Sequence, residues 1–159
     1  MGHMAALELA VLEAFIVRAK AATYVGAGDE APSSRPGSHD LHFADGLFAY
    51  FDSYVGGSDF LGQELVTFDG KPAWAMNYYG YLLKPEIVDA ARAGAVIKEA
   101  LSALYREGRF LGGHQYAVGE DVYTDTNAGD VTRFTGTEWI TRRGERVYQL
   151  AYDGGLVRP

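Results

Sequence analysis

Apolar residues recur at helical spacing in the first part of the chain. Leu12, Phe15, Ile16 and Ala19 fall at i, i+3, i+4 and i+7, one stripe of an amphipathic helix. The pattern predicts a helix over residues 5–22, ended by Gly26 and Gly28. From Leu41 the period changes to two, and LHFADG, LFAYFDSYVGG, FLGQELVTFDG and KPAWAMNYYGYLL read as four consecutive strands. Asp45-Gly46, Gly56-Gly57 and Asp69-Gly70 supply the turns, since glycine accepts positive φ and aspartate tolerates it. Connections this short imply an antiparallel meander. Pro85 then opens a second helix to about Glu107, with Ile87, Ala90, Gly94, Ile97, Leu101 and Leu104 as its apolar stripe. The tail returns to three strands, HQYAVGEDVYTDT, DVTRFTGTEWITRRG and ERVYQLAYDGG, turning at 127–129 and at Arg143-Gly144. No internal repeat stands out. The expected fold is α+β: a curved antiparallel sheet of about seven strands, with two main helices packed on one face.

Composition narrows the class. A chain of 159 residues, 48 % hydrophobic and 22 % charged, fits one globular domain with a real core. That domain is expected over 5–159, with the opening MGHM read as a cloning remnant and start. A net charge of −7 argues against direct nucleic-acid binding, which needs a field of lysine and arginine. No cysteine is present, which excludes disulfides, thiolate nucleophiles and cysteine metal sites. No segment has the length or hydropathy of a membrane span, and the expected location is the cytoplasm.

The most chemically dense stretch is SSRPGSHDLHFADG, 33–46. His39 and His42 stand three apart, on opposite faces of an extended strand, so joint chelation is awkward and no metal site is expected. Asp40 and His42 share a face and suit a carboxylate–imidazole pair. Arg35, before the stiff Pro36-Gly37 turn, suits either a bidentate clamp on an anion or a tie from the loop to Asp40 or Glu64. Ser38-His39-Asp40 is not a catalytic triad, whose members converge from separate elements.

Strand alternation sorts the rest. Phe48, Tyr50, Asp52 and Tyr54 share one face, as do Phe60, Glu64, Val66 and Phe68; Trp74, Met76 and Tyr78 point one way, Asn77, Tyr79 and Tyr81 the other. Two readings follow for Asp52 and Glu64. Either they face solvent while the tyrosine tips snorkel, or they line a partly enclosed polar cavity. Gly26-Ala27-Gly28 follows a helix and is no dinucleotide fingerprint, and the calcium-like run from Asp125 lacks the closing glutamate. No cofactor is expected.

The segments PSSRPGSHDLHFADG, YFDSYVGGSDFLGQE, PAWAMNYYGYLL and GDVTRFTGTEWI…VYQLAYDGG resemble a bacterial family named only as domain of unknown function 5680, over about Leu12 to Val157. The resemblance carries no activity and no catalytic residues. It implies a domain that occurs alone or behind a helix-turn-helix DNA reader, and so a role in sensing or sequestering a small molecule. One helix before the sheet is too little for a DNA reader of its own.

Two functions remain. The first is a small-molecule-binding domain with an aromatic, partly acidic pocket, in which Tyr50, Tyr54, Trp74 and Tyr78 or Tyr79 form walls, Asp52, Glu64 and Asn77 orient the ligand, Arg35 with His39 closes the rim, and His42 also contacts the ligand. The second is a cofactor-independent isomerase, cyclase or hydrolase using His39, His42, Asp52 or Glu64 as acid or base, with tyrosine hydroxyls stabilising developing charge. A small-molecule ligand is the expected partner, and a homodimer stays open.

Overall fold

The hairpins form where the turn chemistry requires them. Asp69-Gly70 and Arg143-Gly144 both adopt the paired positive φ values, 50° and 75°, 52° and 78°, that fit a two-residue loop to the twist of its strands. A computed structural model describes residues 7–25 and 29–159. Helix α1 spans Leu9–Lys20 and continues as a π-helical turn, Ala21–Val25. Three strands, β1 (Asp29–Ala31), β2 (His39–Asp45) and β3 (Phe48–Gly56), lead into β4 (Phe60–Phe68) and β5 (Lys71–Leu82). Helix α2 (Ala90–Arg106) follows, then β6 (His114–Val118), β7 (Asp121–Asp130), β8 (Arg133–Arg142) and β9 (Glu145–Leu156). All nine described strands form one open antiparallel sheet, in the order β1-β2-β3-β4-β5-β9-β8-β7-β6.

The α+β class is as expected, but the sheet has nine strands rather than about seven. One addition is β1, hidden in the polar loop and formed by pairing with β2. The other is a break at Gly119, whose φ of 60° turns the expected HQYAVGEDVYTDT strand into β6 and β7. Helix α2 starts five residues later than Pro85, because the Asp89 carboxylate accepts the backbone N–H of Arg92 and caps it. The MGHM start, the first residues of the predicted first helix and its Gly26 and Gly28 stop lie outside the described residues.

The expectation of no internal repeat is overturned. Tyr50 donates to Glu64 and Tyr123 to Glu138. Tyr78 donates to Asp52 at 2.6 Å, and Tyr152 to Asp125 at 2.7 Å. Asp52 pairs across strands with Glu64, and Asp125 with Glu138. Gly62 faces Tyr78, and Gly136 faces Tyr152. The offset is 73 positions up to Gly56 and Gly129 (50 to 123, 52 to 125) and 74 beyond (64 to 138, 78 to 152), because the hairpin from Gly129 to its partner Phe134 is one residue longer than that from Gly56 to Phe60. Each half is a helix followed by a four-stranded meander, β2–β5 and β6–β9, with β1 an extra edge strand on the first, and β5 joins β9 at the seam.

Side chains from both helices meet the same face of the sheet. Phe15 of α1 stacks on Phe48 at 4.7 Å, while Leu101 and Tyr105 of α2 reach Glu64, Met76, Tyr123 and Glu138 around one small void. The core includes Trp74, Tyr50, Tyr123 and Tyr148, all essentially inaccessible.

Candidate functional site

A cleft of about 380 Å³ opens between α2, the π-helical turn and the first half of the sheet. Its floor is Asp52, and its walls are Tyr24, Tyr54, Phe60, Tyr78 and Tyr148. Helix α2 closes it with Ala93, Gly94 and Ile97, and Lys98 stands at its rim. A volume of this order suits a small ligand. The cleft adjoins the void of about 50 Å³ in the core, with which it shares Tyr24 and Tyr78. The small residues on α2 are what leave the space. A Cβ built on Gly94 would meet nothing within 4 Å.

Besides Asp121, which Arg92 and Arg142 hold, four carboxylates lie buried on this face: Asp52 at 2 % exposure, Glu64 at 0 %, Asp125 at 5 % and Glu138 at 7 %. Each accepts from at least one tyrosine hydroxyl. Only one lysine is buried among them. Lys20 donates to both oxygens of Glu64, at 2.9 and 3.0 Å, and lies 5.3 Å from the Phe110 ring centre. The repeat explains its place. Glu138 receives a second hydroxyl from Tyr148 at 3.0 Å, whereas the counterpart of Tyr148 is Trp74, which has none; Lys20 satisfies Glu64 instead.

Among the described residues, Asp52 has no ion-pair partner. Burial, reinforced by the nearby Glu64 carboxylate, pushes its carboxyl up to about 7, against the opposing hydrogen bond from Tyr78 and the pull of Lys20. Glu138 is likewise raised to about 7, by burial and by Asp125. Burial pushes the Tyr78 hydroxyl well above its ordinary range, so it acts as a neutral donor.

The residues singled out from the sequence divide between the two faces. Asp52 and Tyr54 line the cleft, and Glu64 lines the adjoining void. Tyr50 shares their face but is packed beneath Glu64. Trp74 is core, with Nε1 donating to the Val131 carbonyl at 3.2 Å and its ring stacked on Phe134; it is not a cleft wall. His39 is exposed, does not line the cleft, and places its ring 5.0 Å from that of Tyr54.

Arg35, His42, Asn77 and Tyr79 lie on the outer face. His42 packs against Phe51, not Asp40. Asp40 instead accepts from Ser34, Ser38 and Ser53, which hold its carboxyl below the usual range, Ser34 foremost. Arg35 donates to the carbonyl and hydroxyl of Ser53 at 3.1 and 2.9 Å, so it ties the loop to the sheet through a serine rather than through either predicted carboxylate. Asn77 accepts from Gln63 at 2.8 Å. Arg35, Asn77 and Tyr79 border a second groove of about 850 Å³, which Asp153, Tyr78 and Tyr152 also line; its Arg35, Asp40, Gln63 and Asn77 side chains are held in hydrogen bonds. The cleft beneath α2 differs in setting a buried carboxylate, Asp52, among aromatic and aliphatic walls.

The sequence reading missed Tyr24, Phe60, Tyr148 and the small residues of α2. Tyr148 had a signal, its place as the repeat counterpart of Trp74. Tyr24 had none, because the π-helical turn that carries it leaves no trace in the apolar spacing.

No curated protein and no solved structure matches the chain. One family model matches residues 52–157, a range that leaves out the quoted loop at 32–46 with β2, and takes in Asp52, Glu64, β4, β5 and the whole second half. On that match the chain belongs to the family DUF5680, a domain of unknown function.

Proposed function

We propose that this domain binds a small molecule in the cleft above Asp52, as a sensor or a sequestering protein. The observation that carries this reading is the cleft itself. It is a space of about 380 Å³, walled by aromatic rings, with one buried carboxylate at its floor. Largely apolar pockets with a few placed polar groups are the common form of ligand sites.

The test uses Gly94. Replacing it with leucine projects a side chain into the cleft, while the helix loses a glycine that costs about 1 kcal/mol relative to a good helix former. In a thermal-shift screen of small aromatic amines, alcohols and acids, compounds that stabilise the native chain should lose their effect on Gly94→Leu, whose own melting temperature holds or rises. Hits that act equally on both proteins would place binding elsewhere and defeat the reading.

A second reading is favoured by one feature, the Asp52 carboxyl pushed up to about 7. A group titrating there can take and return a proton near neutrality, as an isomerase, cyclase or hydrolase requires. The Tyr78 hydroxyl would then hold the carboxylate in position. Asp52→Asn separates the readings: it abolishes turnover of any substrate found, while a pure binding site keeps its uncharged ligands.

A further inference from the structure

We propose that the cleft selects an organic cation, an ammonium group carried on an aromatic or aliphatic body. This rests on the binding reading above and names its ligand class.

Three observations converge. The floor carboxylate, Asp52, is buried, and the nearest buried cation, Lys20, is committed to both oxygens of Glu64. The walls present five aromatic rings, Tyr24, Tyr54, Phe60, Tyr78 and Tyr148, and π faces attract cations most where water is excluded. Beneath the floor lie Glu64 and Glu138, with Lys20 the one buried counter-charge on this face. An anionic ligand would meet this field unfavourably, and a neutral one would leave it unused.

The repeat shows that the arrangement is particular to one half. Phe134 and Trp74 stack at 5.9 Å as the counterparts of Phe60 and Tyr148 at 6.4 Å. Against Phe134 and Trp74 packs the ring of Phe110, edge-on to both at 5.7 and 5.8 Å. Asp125, the counterpart of Asp52, accepts from Tyr152 below this plug. The first half carries the open chamber.

Charge coupling gives the test its sign. The groups facing Asp52 are Glu64, Tyr78, Lys20 and Asp40, Tyr24 and Tyr54, and Lys98 across the cleft. A bound cation favours the ionised carboxyl, so binding expels a proton when the free group is protonated, and affinity rises with pH.

The probes are benzyltrimethylammonium, whose charge does not titrate, its neutral carbon isostere neopentylbenzene, and phenylacetate, each titrated into the full chain by NMR at about pH 5.5 and about pH 8. The expected result is shifts at cleft residues, about tenfold tighter binding of the cation than of the isostere, tightening of the cation alone at the higher pH, and loss of the preference in Asp52→Asn. If Asp52→Asn fails to fold, the pH dependence in the native chain decides. Equal or tighter binding of neopentylbenzene or phenylacetate in the cleft would overturn the cation class and leave the binding reading standing. No cleft shift with any probe would overturn both.

Discussion

Tyr78 and Tyr152 stand directly opposite each other on β5 and β9, and the two halves of the chain are related about that pair. Each hydroxyl reaches back into its own half, to Asp52 and to Asp125. The phenols therefore bridge the seam and the buried carboxylates, and these links supply the first predictions.

Each tyrosine lies over a glycine that cannot be enlarged. A Cβ on Gly62 would come within 2.4 Å of the Tyr78 hydroxyl oxygen and 2.7 Å of the Ser53 carbonyl, and one on Gly136 within 2.0 Å of the Tyr152 ring. Gly62→Ala and Gly136→Ala should each cost about 1–3 kcal/mol by overpacking. Urea unfolding checks this; two variants as stable as the parent would mean that the tyrosines can move aside freely.

Lys20 and Glu64 form a buried pair at 4 % and 0 % exposure. Removing one partner strands the other charge. Lys20→Met should destabilise by about 3–5 kcal/mol, and adding Glu64→Gln should recover most of that loss. A double-mutant cycle measured by chemical denaturation is the check, and additive losses would show that the pair is not coupled.

Stability should fall as pH rises through the weakly acidic range. Asp52 and Glu138 have folded carboxyls near 7, above the unfolded values, so the native state binds these protons more tightly and their favourable contribution disappears between about pH 4 and about pH 7. Asp121, held low first by Arg142 and also by Arg92, and Asp40 act in the opposite sense, and their contribution is lost on acidification below about pH 4. The melting temperature should peak near about pH 4 and decline toward about pH 7, and Asp52→Asn should flatten that decline. A flat or rising profile across the interval would contradict the burial described for these groups.

Much of this was legible in the sequence. Strand alternation placed Phe48, Tyr50, Asp52 and Tyr54 on one face and Asn77 and Tyr79 on the other, and the structure keeps that division. Alternation alone does not say which face is buried, because a face carrying carboxylates reads as half polar until their tyrosine partners are known. Hence Asn77, Tyr79 and Arg35 were grouped with Asp52 although the sheet separates them. The repeat was hidden by Tyr54 against Asn127, Trp74 against Tyr148, and a single inserted residue between β7 and β8. Strand β1 was illegible for another reason: Asp29–Ala31 has no strand character of its own and is ordered by its neighbour.

Phe110 turns the duplicated architecture into an unequal pair. One copy is stoppered by its own chain and contributes rigidity; the other stays hollow. A scaffold built this way confines the energetic penalty of an empty chamber to one side, so the hollow copy is free to change its lining while its solid twin keeps the molecule upright.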